Sequence, residues 1–140
     1  MTAAEPNELT AAASGEPSPF RNADVSYLHL PAVDARESGE FYRDMFGWEL
    51  RGDLDNPSFS DHTGHVTGAW VTHRASAVDR GPIPYIYVDD VEQTVLRLEA
   101  RGAPIVAPPF PEGDLIVALF QDPGGNAIGI WQHAVPTGRG

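Results

Sequence analysis

The sequence contains no cysteine and no lysine; all nine of its basic residues are Arg. Without Cys there can be no disulfide, thiol nucleophile, iron–sulfur cluster or Cys-ligated zinc. Without Lys there can be no Schiff base and no P-loop. Positive charge is scarce overall: nine basic residues stand against twenty acidic ones, for a net charge of -11. Such a chain repels nucleic-acid backbones and anionic bilayers, so neither is expected as a partner. No apolar run approaches the length of a membrane-spanning helix. The first residues include Glu5, Glu8 and Glu16 and lack the basic and apolar regions of a signal peptide. The absence of Cys agrees with a reducing compartment, and a cytoplasmic location is expected.

What is present suits one domain. The chain has 140 residues, of which 41% are hydrophobic, enough for a single sizeable core. Residues 1–22 are rich in Ala, Glu, Pro, Ser and Thr, which predicts a disordered N-terminal arm. Residues 135–140 should form a flexible tail. Between them lies an internal repeat. Asp61, Gly64, Gly68 and Trp70 recur as Asp122, Gly125, Gly129 and Trp131 at identical spacing. Tyr27 to Asp34 likewise lines up with Ile83 to Asp90. These define two modules, about 23–74 and 82–134.

Each module reads as strand, helix and three strands. Strands are predicted at 25–30, 48–51, 58–61 and 65–72, and again at 83–88, 105–107, 115–121 and 127–132. Asp34, with Glu37 behind it, and Asp90, with Gln93, are helix N-caps. Phe41 with Met45, Tyr42 with Phe46, and the run Val91, Val95, Leu98 supply buried stripes. Gly47 and Gly102 end the helices. The second copy is longer by five residues, which are assigned to the Pro-rich stretch 108–113 as a surface connection. A hinge at Gly113 is the alternative there. The fold class expected is α+β, two tandem βαβββ modules with curved mixed sheets enclosing a concave pocket.

The residues Leu30-Pro31-x-x-Asp34, Phe41-Tyr42-x-x-x-Phe46-Gly47-Trp48, Val88-Asp89-Asp90 through Ala100-Arg101-Gly102, and Asp122-Pro123-x-Gly125-Asn126 resemble the vicinal-oxygen-chelate superfamily. This is the glyoxalase/bleomycin-resistance/dioxygenase group. The likeness runs from about Val25 to His133. The subgroup it most resembles has a Gly-containing last strand ending in Trp-Gln, here Gly129-Ile130-Trp131-Gln132. The resemblance implies four metal-ligand positions, one on the first and last strand of each module. Here they fall on Tyr27, Gly68, Ile83 and Gly129. None carries a carboxylate or imidazole, so no metal cofactor is expected. A two-residue slip would bring His29 and Tyr85 to the same level, and one His is too few to hold an ion tightly.

Strand alternation then assigns the concave face to Tyr27, His29, Gly68, Trp70, Ile83, Tyr85, Gly129 and Trp131, with Val66, Tyr87 and Ala127 beside them. Two glycines and two tryptophans would leave room for a flat apolar ligand, oriented by His29, Tyr27 and Tyr85. Two roles stay open for Trp70 and Trp131: ligand wall, or filler of the space the glycines leave. For His29 the default is an interior, hydrogen-bonded histidine. For Tyr27 and Tyr85 it is partial burial. His62, His65, His73 and His133 read as surface or peripheral, and Asp53 and Asp55 as solvated acids.

Three functions compete. The first is a metal-free module that binds a small, aromatic or apolar molecule, as a homodimer by resemblance to bleomycin-resistance proteins. The second is a glyoxalase-fold lyase, isomerase, hydrolase or hydroxylase with His29 as general acid/base. The third is an interaction domain without a ligand. Metal-dependent glyoxalase or dioxygenase activity is disfavoured.

Overall fold

The computed structural model describes residues 20–76 and 81–134. Most of the expected N-terminal arm and all of the expected tail therefore lie outside the described residues. The described chain forms two helices and two four-stranded mixed sheets that do not close into barrels. It divides into two compact units. One comprises residues 20–30 and Asp34–Thr72; the other comprises Pro31–Val33 and residues from 73 onward.

In the first unit the order is β1 (Tyr27–Pro31), α1 (Ala35–Phe46), β2 (Glu49–Arg51), β3 (Ser58–Ser60) and β4 (Thr67–Val71), arranged β1-β4-β3-β2 in the sheet. Helix α1 starts where expected. The Asp34 carboxylate accepts from the backbone N–H of Arg36 and Glu37, which would otherwise be orphaned at the helix start. It stops at Gly47, whose φ of 72° suits glycine. The buried stripe of α1 includes Phe41, Tyr42 and Met45. Tyr42 stacks on Trp48, and Trp48 stacks in turn on Phe59, with ring centroids 4.5 and 4.7 Å apart. This aromatic column is the core of the unit.

The second unit follows as β5 (Tyr85–Tyr87), α2 (Val91–Ala100), β6 (Ile105–Glu112), β7 (Leu115–Gln121) and β8 (Ala127–His133), arranged β5-β8-β7-β6. Strand β5 runs parallel to β8 and the other pairs are antiparallel. Asp90 caps α2 through Gln93 N. Val91, Val95 and Leu98 are buried beneath it. The stretch 108–113, expected as a connection, is instead mostly strand. Strand β6 continues to Glu112 with irregular register between Ile105 and Phe110, which accommodates Pro108 and Pro109 on an edge. Gly113, with φ 60°, opens a two-residue hairpin to β7.

The turn from β7 to β8 is organised by a buried carboxylate. Asp122 accepts from Gly124 N at 3.0 Å and from Asn126 N at 2.8 Å. The Asn126 side chain donates to both carboxylate oxygens and to Pro31 O at 2.7 Å. Replacing Asn126 with Ala removes the side-chain amide that joins the buried Asp122 carboxylate to Pro31 O, at a cost of about 1–3 kcal/mol. Urea unfolding should show a lower midpoint at unchanged slope; an unchanged midpoint would contradict this reading of the turn.

Candidate functional site

The two modules repeat in sequence, yet the structure gives their matching tryptophans opposite surroundings. In the first unit Asp61 N donates to Val66 O; in the second Asp122 N donates to Asn126 O. The first turn is thus one residue longer. Side chains alternate along a strand, so this single residue reverses the face on which each later residue lies. Thr67 pairs with Ser60 just after the longer turn, and Ala127 pairs with Gln121 just after the shorter one. Trp70 therefore corresponds in space to Ile130, and Gly68 to Ile128.

The contacts agree. Trp70 is 1% exposed. Its ring lies 5.7 Å from Tyr42 of α1 and 4.7 Å from Phe59. Gly68 pairs with Phe59 on the same face, and an added Cβ there would overlap Leu28 O and the Phe59 ring. Gly68 thus lets the aromatic core close against the sheet. Gly68 and Trp70, expected on the concave face, sit under α1 instead, and alternation puts Val66 on their side. Of the two roles open to Trp70, it takes the filling one.

In the second unit the opposite holds. Gln132 Oε1 accepts from Val91 N at the start of α2, at 2.7 Å. Gln132, Ile130 and Ile128 therefore face the helix, while Trp131 and Gly129 face away. Strand β5 pairs Tyr85 with Gly129 and Tyr87 with Trp131. The Tyr85 ring lies where a Cβ on residue 129 would stand. Tyr87 meets Trp131 edge to face at 5.0 Å, and Trp131 meets His133 the same way at 5.3 Å. Tyr85 and Tyr87 are 42% and 51% exposed, and Trp131 is half-buried. Across β7, Trp131 pairs with Val117, and Val117 with Phe110 of β6. The helix-free face of this sheet thus carries a row of apolar and aromatic side chains, of which Val117 is fully buried.

The remaining expected residues are placed as follows. Tyr27 and His29 share the exposed side of β1, edge to face at 5.4 Å. His29 is therefore exposed where an interior histidine was expected, and Tyr27, at 59% exposure, is less buried than expected. Ile83 is half-buried, two residues ahead of β5. His62, His65 and His73 are exposed, as expected. His133 is exposed at the end of β8, as expected, and its ring also meets Trp131. Its signal was simple: it stands two residues beyond Trp131 on the same strand face. Asp55 pairs with Arg36, and Asp53 accepts from Asp55 N. Hydrogen bonding to Asp55, and then to Glu40, holds the Arg36 guanidinium above its usual pKa.

The superfamily's metal positions can be tested on this donor set. Tyr27, Ile83 and Gly129 offer one phenol between them, and Gly68 lies beneath α1. Among the described residues no group of three or more His, Asp or Glu could hold an ion. These side chains do not fit a divalent cation.

The chain belongs to the Glyoxalase/Bleomycin resistance protein/Dioxygenase superfamily, whose family model matches residues 25–130. Among its relatives is CFP32 of Mycobacterium tuberculosis, named as a candidate glyoxylase, 29% identical over 127 residues, covering 82% of this chain and 48% of that protein. Another is the anthracycline biosynthesis protein DnrV of Streptomyces peucetius, 24% identical over 139 residues, covering 85% of this chain and 50% of that protein. The chain therefore spans about half the length of the curated relatives it matches. The fold is similar to that of TnmS3, an antibiotic binding protein from Streptomyces sp. CB03234, with a TM-score of 0.65 and 22% identity over 79% of this chain and 96% of that one. No helix among the described residues is long and apolar enough to cross a membrane.

The two tryptophans should separate on substitution. Trp70→Ala empties the core and should cost about 3–5 kcal/mol. Trp131→Ala removes a half-buried ring and should cost about 1–2 kcal/mol, within the ordinary range for a single substitution. Chemical denaturation of both variants checks this, and equal losses would contradict the face assignment.

Proposed function

We propose that this protein binds a small, planar, largely aromatic molecule on the helix-free face of the β5–β8 sheet, without a divalent metal. The observation that carries the reading is the cluster of Tyr85, Tyr87, Trp131 and His133 around Gly129. Its rings are partly exposed and are not used to build the core under α2. Aromatic surfaces of this kind gain by stacking on a flat ligand and by removing apolar area from water. Tyr27 and His29 offer a second, smaller aromatic pair on the first unit. The names of two relatives support the class of ligand: one protein is called antibiotic binding, and another belongs to anthracycline biosynthesis. The homodimer implied by the resemblance is part of the same proposal, and a solution mass twice that of the chain would agree with it.

Calorimetric titration with N-acetyldoxorubicin, an uncharged planar tetracyclic probe, tests this reading. Binding should occur, and should persist after exhaustive dialysis against EDTA. Trp131→Ala should weaken it roughly tenfold or more, as expected when a central aromatic contact is removed. Leu96→Ser, on the exposed side of α2, should leave it unchanged. Binding that vanishes with EDTA, or that ignores Trp131, would defeat the proposal.

A further inference from the structure

The β5–β8 face has a charge pattern that narrows the ligand class, given the binding reading above. None of the nine arginines lies in β5, β6, β7 or β8, and those strands hold no other basic residue except His133. They hold a single carboxylate, Glu112. The register places that carboxylate on the same face as the rings. Phe110 pairs with Val117 and Val117 with Trp131, forming one row across the sheet; Glu112 pairs with Leu115 and Leu115 with His133, forming the next. Residues two apart on a strand lie roughly 6–7 Å from one another. A ring system resting on Trp131 and Phe110, which flank the buried Val117, thus ends within reach of Glu112. Phe110 is 39% exposed and Glu112 is exposed at the hairpin.

We infer that the face selects a planar aromatic ligand carrying a protonated amine, with its rings on Tyr87, Trp131 and Phe110 and its ammonium toward Glu112. A ligand carboxylate, sulfonate or phosphate would meet no basic side chain on any of these strands except His133. An ammonium would meet a carboxylate and the negative faces of the rings, which attract cations. The net charge of -11 acts in the same direction at longer range, raising the local concentration of cations and depleting anions. Glu112 is the residue that sets this preference, although Tyr87, Trp131 and Phe110 supply the contact area.

Three probes with similar polycyclic frames test the inference: doxorubicin, which carries an ammonium; N-acetyldoxorubicin, in which that amine is uncharged; and anthraquinone-2-sulfonate, an anion. Affinities are measured by calorimetry at low and at high salt. The cation should bind more tightly than the neutral probe and the anion least, and added salt should narrow the gap. Glu112→Gln should weaken doxorubicin about two- to fivefold, the worth of one exposed ion pair, and leave N-acetyldoxorubicin unchanged. A preference that survives Glu112→Gln undiminished, or sulfonate binding as tightly as the cation, would overturn the charge assignment while leaving the aromatic site standing. Failure of all three probes to bind would overturn the binding reading itself.

Discussion

The backbone hydrogen bond from Asp122 N to Asn126 O closes a turn one residue tighter than the bond from Asp61 N to Val66 O. The face on which each residue of β4 and of β8 lies depends on that difference. With the wider turn, Gly68 and Trp70 swing under α1 and complete an aromatic core with Tyr42, Trp48 and Phe59. With the tighter one, Ile128 and Ile130 take those core positions, and Gly129 and Trp131 are left on the other side of the sheet. The buried Asp122 carboxylate, held by Gly124, Asn126 and the Asn126 side chain, keeps the tighter turn in place. Thus the same motif builds a core in one module and a surface in the other.

That divergence explains the uneven chemistry of the modules. The first unit spends its last-strand tryptophan on packing and keeps only Tyr27 and His29 as an exposed aromatic pair. The second assembles four aromatic or imidazole rings from two parallel-paired strands and extends them with Val117 and Phe110. A core beneath α2 built mainly of aliphatic side chains, Leu98, Ile128 and Ile130 with Phe120 beside them, leaves the Tyr and Trp rings on the outer face. The helix-free face of the second sheet is thus the one that carries groups suited to stacking.

Much of this was legible in the sequence. The Asp34 and Asp90 caps, the Gly47 and Gly102 stops and the helical stripes follow from local chemistry that acts within a few residues, and the structure has them where expected. The repeat also announced two modules with the same order of elements along the chain. What could not be read was the turn. Equal spacing from Asp to Trp suggested equal faces, but spacing counts residues, whereas the face depends on which backbone groups close the loop. The extended β6 was hidden for a related reason. Three prolines look like a connection until an irregular edge strand is seen to accept them. Phe110 and Glu112 were thereby missed as residues of the face, and His133, rightly placed at a strand end, was not connected to the rings beside it.

A nitrogen–proton correlation spectrum of the three indole groups, recorded while an uncharged planar aromatic probe is added, addresses the central claim most directly. Trp48 and Trp70 pack together within the first unit, and only Trp131 stands on the helix-free sheet face. The account predicts that the Trp131 resonance shifts in a saturable way while the other two hold their positions. Saturable shifts at Trp48 or Trp70 with Trp131 unmoved would contradict it.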